Sequence, residues 1–346
     1  MVAGLPQTSH AAESLRLATW SPELTRKGPG VLLRDILARD KQVMATVAVL
    51  KAAEADVVLL TGFDHDPSGA ALQAYRDLLR AEGLAYPHST AARPNSGMRS
   101  GLDLDGDGRL GEGEDAQGYG RFPGAGGMAL LSRVPVGEVR DLGGVLWRDL
   151  PGGTPVLPSA ETAKVQRLSS VAHWDVPLML ETGPLHLLTL AASTPVFDGP
   201  EDRNGKRGQD ELRLWQAYLG GAMGGPPAGP AVVIGRLNVD PLDGEGRREV
   251  LRELLRATLV DPHPTGPGGL AEADATHKGP PAEDTADWDG PGNLRVDYIL
   301  PEARLTVQSA GVLWPVEGKL LGGLELATAR RASRHRLVWV DLVPGG

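Results

Sequence analysis

Apolar residues along this chain fall into two rhythms. Short, nearly unbroken apolar runs bounded by turn residues predict buried strands, and apolar positions three and four apart predict helices. Leu15-Arg-Leu-Ala-Thr-Trp20 predicts a first strand. Residues 32–53 carry apolar side chains at helical spacing, Asp56-Val-Val-Leu-Leu-Thr61 predicts a buried strand, and residues 68–83 fit another helix. Further strands are expected at Gly127–Ser132, Val171–Leu180, Leu185–Leu190, Ala231–Gly235, Arg295–Leu300, Leu305–Gln308 and Leu337–Leu342, with helices at 209–220 and 246–257. Strand–helix–strand alternation of this kind is the grammar of a layered α/β fold.

Long stretches rich in Gly, Pro and Asp interrupt the pattern at 87–126, 148–166, 193–208 and 260–293. Loops of that length in a compact domain are functional or disordered. No composition break marks a boundary, so residues 14–346 read as one domain. Residues 1–13 stand apart, either as a short disordered arm or as a signal-peptide remnant, with Ser9-His10-Ala11 as a small-x-small cleavage site. The second reading implies a periplasmic or extracellular protein. A cytoplasmic one follows if Met1 is the true start.

Composition narrows the function classes. A hydrophobic fraction of 41% in 346 residues supplies a substantial core, and 46 Gly with 28 Pro agree with many turns. A net charge of −9 argues against a general nucleic-acid-binding surface. The absence of Cys removes disulfides, thiolate metal sites and Cys nucleophiles. No apolar run is long enough to span a membrane.

One long stretch carries a metal pattern. Asp103-Leu-Asp105-Gly-Asp107-Gly108-Arg109-Leu-Gly-Glu-Gly-Glu114 matches D-x-D-x-D-G-x5-E in full. Carboxylates of Asp103, Asp105 and Asp107 at alternate positions converge on a hard cation, Gly108 allows the turn, Arg109 offers its carbonyl, and Glu114 closes the site. The flanks are not helical, so the reading is a lone structural Ca2+ site that orders a surface loop. The alternative is a solvated acidic loop without an ion.

Eight blocks occur in order: LRLATWS, ADVVLLTGFD, GMALLSRVPV, RLSSVAHWDVPL, TPVFDGPEDRNG, VVIGRLNVDP, GNLRVDYIL and SRHRLVWVDL. Together they resemble the endonuclease/exonuclease/phosphatase superfamily, the metal-dependent hydrolases related to DNase I. The resemblance implies a four-layer sandwich: two mixed β-sheets face to face, with helices outside. It places the active site where the strands named above terminate.

Carried over residue by residue, the resemblance exposes gaps. The family's Asn after the first strand is Ser21 here. Its metal-holding Glu after the second strand falls at Thr61-Gly62, leaving Asp64 as the nearest carboxylate in that stretch. A phosphate-contacting His falls at Ala191-Ala192. The water-preparing Asp of G-D-x-N is Arg236, and the Asp of the final S-D-H is Arg334. Asn238, Asp240, Asp297 and His335 survive, and the resemblance pairs Asp297 with His335.

Arginine holds no metal and makes no base, because it stays protonated. One Arg about 4 Å from a divalent ion costs about 8 kcal/mol at an effective dielectric near 20, twice the single-charge figure. Two readings follow. In the first, Arg236, Arg334, His335 and Asn238 form an anion site in a pseudoenzyme, for a phosphate-containing or other anionic ligand. Within it, the arginines can instead pair with acids such as Asp64 and Asp240 and seal the pocket. In the second, His335, Asp297, Asn238 and Asp64 serve a rearranged Mg2+- or Mn2+-dependent phosphodiesterase or phosphatase. Loop groups His65, Asp66, His173, Asp175, Asp198, Glu201, Asp202 and Asp240 would then be candidates for a shifted metal site. A fold kept as a subunit of a larger protein assembly is a third expectation.

Overall fold

The computed structural model describes residues 14–224 and 228–343. The expectations for residues 1–13 lie outside the described residues. In chain order the strands are β1 (Leu15–Trp20), β2 (Val57–Phe63), β3 (His88–Thr90), β4 (Gly127–Ser132), β5 (Arg140–Asp141), β6 (His173–Leu180), β7 (Gly183–Ala191), β8 (Ala231–Arg236), β9 (Ala286–Trp288), β10 (Gly292–Leu294), β11 (Asp297–Pro301), β12 (Thr306–Leu313) and β13 (Leu337–Val343). The helices are α1 (Val31–Leu37), α2 (Lys41–Ala53), α3 (Ala70–Ala81), α4 (Ala160–Val165), α5 (Arg203–Leu219), α6 (Glu249–Ala257), α7 (Pro267–Ala271) and α8 (Leu326–Ala332).

Two mixed sheets carry the fold. One has the order β12-β13-β1-β2-β4-β3, the other β11-β8-β7-β6-β5, and β10-β9 form a small ribbon. Among the strands of the described residues, only β1–β2 and β7–β8 pair in parallel. The near-continuous apolar strands resolve into period-two alternation between different cores. Val57 and Leu59 of β2, Met128 and Leu130 of β4, and Val232 and Ile234 of β8 face a core shared by both sheets. Val58, Leu60, Ala129 and Leu131 face outward against α1, α2, α3 and α8. Ala231 and Val233 face the opposite way, against α5 and α6. The layers are therefore helix, sheet, sheet, helix, as the resemblance implies.

Several predicted boundaries move. The helical stretch 32–53 is two helices, because Arg39 takes a left-handed φ of 51° and the Asp40 side chain caps a new start by accepting from Gln42 N at 2.8 Å. The helix expected at 209 begins at Arg203, after a left-handed Asp202. The strand expected at 305–308 runs on to Leu313.

Candidate functional site

Strands β8 and β11 form the floor. They run antiparallel, with Arg236 directly opposite Asp297 and Gly235 opposite Tyr298. Gly235 has φ 141°, and a Cβ there would lie 1.9 Å from Leu190 O, so a side chain cannot stand at this point. Beyond the strand, Asn238 sits at φ 54° and donates from Nδ2 to Ala192 O at 2.6 Å. A short polar side chain that bonds locally is what tolerates a left-handed backbone. The G-R-L-N stretch is thus held by its glycine and its asparagine, which aims Arg236 between them.

The final strand brings in His335. Its Nδ1 donates to Asp297 Oδ2 at 2.7 Å. Thr285 supports the acid: its hydroxyl lies 3.3 Å from the same Oδ2 and accepts from Val296 N and Asp297 N. His335 N donates to Ser333 Oγ at 3.0 Å, and its carbonyl accepts from Trp20 Nε1 at 3.0 Å. Trp288 stands edge-on to the imidazole at 5.2 Å between ring centres. Asp297 is fully buried, and its Oδ1 has no hydrogen-bond partner. The expected Asp297–His335 pair is present.

The two arginines behave differently. Arg236 is half-buried, its Nε is buried without a partner, and Nη1 reaches Ser21 Oγ only at 3.4 Å. Among the described residues it forms no ion pair within 4.0 Å. Burial draws its pKa down, and the charges of Asp297, Glu23 and Glu211 oppose this; it stays protonated. Arg334 is exposed and clamped by Glu23. Its backbone N donates to Oε2 at 2.9 Å, Nε donates to Oε1 at 2.8 Å, and Nη2 also pairs with Oε1. Burial pushes the Glu23 carboxyl up, but the hydrogen bonds and charge of Arg334 outweigh it and hold Glu23 below the usual carboxylate range.

Glu23 is the acid that sequence reasoning missed. It belongs to no family motif, and a left-handed φ of 50° accompanies its approach to Arg334. The sequence signal for it is thin: a lone Glu after Pro22, just past the first strand.

Asp64 does not join the site. Its two carboxylate oxygens are taken by the backbone N–H groups of Arg26 and Gly126, at 2.7 and 2.8 Å. Asp240 likewise accepts from the backbone of Leu242, Asp243 and Arg295. Neither pairs with Arg236 or Arg334, so the acid that seals an arginine is Glu23 and the arginine is Arg334.

The loop groups do not gather into one cluster. Asp66 accepts from Ala70 N and Ala71 N at the start of α3. Asp175 binds His186 Nδ1 at 2.6 Å and Tyr218 OH at 2.7 Å. Asp198 accepts from Asn204 N, and Asp202 pairs with Arg247. His173 is buried between Ser169 Oγ and Glu211 O, and burial depresses it to about 4. Glu211 itself is buried and accepts from Ser170 N, Ser170 Oγ and Ser193 N.

A catalytic metal does not fit the residues at this site. The position where the resemblance expects a metal-holding Glu is Gly62, near the end of β2, whose φ is 70° and where a Cβ would lie 3.2 Å from Ser21 Oγ. Asp297 has committed Oδ2 to His335, Glu23 is committed to Arg334, and Arg236 adds a fixed cation among them. Elsewhere the carboxylates of Asp103, Asp105 and Asp115 bring oxygens within 4.8 Å of one another. Asp107 and Glu114 are not in that group. Asp107 bonds Arg109 N instead, and the buried Asp115 also accepts from Leu104 N and Gly111 N. Asp261, His263 and Glu283 form a second such group, but the buried Arg295 already fills it, with Nη1 at 2.9 Å from Asp261 and 2.6 Å from Glu283.

The sequence matches the model of the Endonuclease/Exonuclease/phosphatase family over residues 31–335. No curated protein matches it. Among solved structures it is similar to an endonuclease/exonuclease/phosphatase from Beutenbergia cavernae DSM 12333, with 19% identity and a TM-score of 0.58 over 96% of this chain and 72% of that one. It is similar to sphingomyelinase C from Streptomyces griseocarneus, at 17% identity and a TM-score of 0.54 over 95% and 99% of the two chains. It is also similar to a mannosyl-6-phosphatase from Bacteroides thetaiotaomicron VPI-5482, at 16% identity and a TM-score of 0.52 over 95% and 100%. At these identities the likeness speaks for the fold alone.

Proposed function

This chain belongs to the endonuclease/exonuclease/phosphatase family, and on that premise we propose that it is a pseudoenzyme whose former catalytic pocket holds an anionic, phosphate-containing ligand without a metal. The observation that carries this reading is Arg236: a half-buried guanidinium without an ion pair among the described residues, directly across the strands from the Asp297 that holds His335, where the resemblance expects an acid. A guanidinium is matched to phosphate and carboxylate oxygens in pairs. The retained His335 supplies a further N–H toward such a ligand when protonated.

The rival reading is an active hydrolase with a rearranged site, and the intact Asp297–His335 pair at 2.7 Å is the observation that favours it. Hydrolysis of a generic phosphodiester, with and without Mg2+, Mn2+ or Ca2+, separates the two. We expect no turnover above background. Turnover that His335→Ala abolishes would establish the rival.

We further propose that the 103–115 loop takes Ca2+, with Asp103, Asp105 and Asp115 as the converging carboxylates. Calcium availability outside the cytoplasm supports a periplasmic or extracellular location. A role in a protein assembly is compatible with a pocket that binds and does not turn over.

A further inference from the structure

A short strap, residues 283–288, lies across the Asp297–His335 pair. Thr285 N donates to Leu294 O at 3.0 Å, and the Thr285 carbonyl accepts from Arg336 N at 2.6 Å. The Thr285 hydroxyl accepts from Val296 N and Asp297 N and lies 3.3 Å from Asp297 Oδ2. Asp287 N donates to Arg334 O at 3.1 Å, and Trp288 stands edge-on to the His335 ring. At the other end, Glu283 accepts from Arg295 Nη1 at 2.6 Å.

Asp284 sits inside this strap, one residue before Thr285. It is 7% exposed, and its carboxyl makes no hydrogen bond among the described residues. The turn after β8 faces it with Asp240 and Asp243. Asp240 is already filled by the amides of Leu242, Asp243 and Arg295, and Asp243 by those of Lys278 and Gly279. Its own loop adds Glu283 and His277, and only a protonated His277 eases a charge on Asp284. The cations around it are turned elsewhere. Arg295 points onto Asp261 and Glu283, Arg248 onto the carbonyls of Asp240, Asp243 and Gly244, and Lys278 is exposed.

An ionised carboxylate buried without a donor and beside other carboxylates is unfavourable, whereas a neutral carboxyl is tolerated. Burial, then the charge of Asp240, raises the Asp284 carboxyl to about 7 while the strap is closed. An open strap returns it to water and to its ordinary 3.8. Opening therefore releases a proton. It becomes easier as pH rises from about 4 toward 7 and levels off above that.

We propose that Asp284 is a proton-operated latch: protonated, it lets the strap 283–288 lie closed over His335, and its ionisation parts the strap from the turn at 240–244 and uncovers the Asp297–His335 pair. The latch stands whether the pocket binds an anion or turns over a substrate.

Amide hydrogen exchange of the full chain between pH 5 and 8, corrected for the intrinsic pH dependence of exchange, tests it without any ligand. The amides of Thr285, Asp287 and Arg336 should exchange faster than the core amides of β8. Their protection should fall close to tenfold per pH unit between pH 5 and 6.5 and level off above 7. In Asp284→Asn, which keeps the shape without the charge, the fall should disappear. Asp284→Ala should behave likewise, and thermal melting reports whether each variant is folded. Strap protection that does not change with pH in the wild type overturns the latch. So does strap exchange no faster than that of β8, because the segment would then open only with the whole fold. A wild-type slope retained in a folded Asp284 variant also overturns it, because another group would be the one titrating.

Discussion

Arg236 and Asp297 face each other across adjacent antiparallel strands. Directly opposite residues place their side chains on one face of the sheet, and these two carry opposite charges. Yet they form no ion pair within 4.0 Å. Asp297 gives Oδ2 to His335, and both its Oδ1 and the Arg236 Nε remain unpartnered. The buried acid thus faces the arginine without neutralising it.

The backbone at Gly62 disfavours any ligand-bearing side chain. Gly62 has φ 70°, and its missing Cβ leaves room only against Ser21 Oγ. Gly62→Glu is therefore expected to cost about 1–2 kcal/mol in urea denaturation, the penalty of a left-handed non-glycine residue. It should confer no Mg2+-dependent hydrolysis, alone or with Arg236→Asp. Metal-dependent turnover in the double variant would show that the site is only two substitutions from a working one.

Asp297 anchors the dyad by geometry more than by exposure. Removing the acceptor of a buried hydrogen bond to a charged group costs about 1.5–3 kcal/mol. Asp297→Ala is expected to lose that much stability, because His335 Nδ1 and the Thr285 hydroxyl both lose their acceptor. Asp297→Asn keeps an acceptor oxygen and should lose less than half as much. Equal losses in the two variants would mean that charge, not hydrogen bonding, holds the dyad.

Asp284 gives the stability a pH dependence of definite sign. Burial, then the neighbouring charge of Asp240, pushes its carboxyl up to about 7 from an ordinary 3.8. The folded state therefore holds this proton more tightly than the unfolded one. Its contribution to stability is full below about pH 4 and falls as pH rises toward 7. Asp284→Asn should remove that fall, so the variant gains on the wild type between pH 4.5 and 7.5 in denaturant titrations. Parallel curves for the two proteins would refute this.

The acidic loop offers a test of which carboxylates bind calcium. A bound ion at a hundred times its Kd adds about 2.7 kcal/mol, which moves the melting midpoint of a chain this size by about 4 °C. Asp103→Asn/Asp105→Asn should abolish that rise. Glu114→Gln should keep it, because Asp115 and not Glu114 brings its oxygens to the other two. Loss of the rise in Glu114→Gln would restore the simple reading of the sequence motif.

Much of the fold was legible because its strands are long and apolar. β1, β2, β4, β8 and β13 lie between two packed layers, so their sequences read as unbroken apolar runs. The two- and three-residue strands β3, β5, β9 and β10 are too short to show a period. Helix α8, LATARRA, has one large apolar residue and no visible stripe. The start of α5 was hidden because its first turns are polar and Asp202 leads in with a left-handed backbone rather than a side-chain cap.

The site was half legible for a similar reason. Asn238, Asp297, Arg236 and His335 stand on strand ends or in motif positions that chain order fixes. Asp64 looked like a ligand because it follows a strand, but sequence does not show that two backbone amides consume its oxygens. Glu23 has no motif at all, and its role depends on a backbone conformation that a Glu rarely adopts.

Under the proposed function, Arg236 holds an anion without any metal. Titrating inorganic phosphate into the wild type and Arg236→Gln, both in EDTA, tests it most directly. The wild type should bind without metal, and Arg236→Gln should lose about tenfold or more, the worth of one charge-assisted pair. Binding that requires Mg2+ or Mn2+, or that survives Arg236→Gln unchanged, would contradict it.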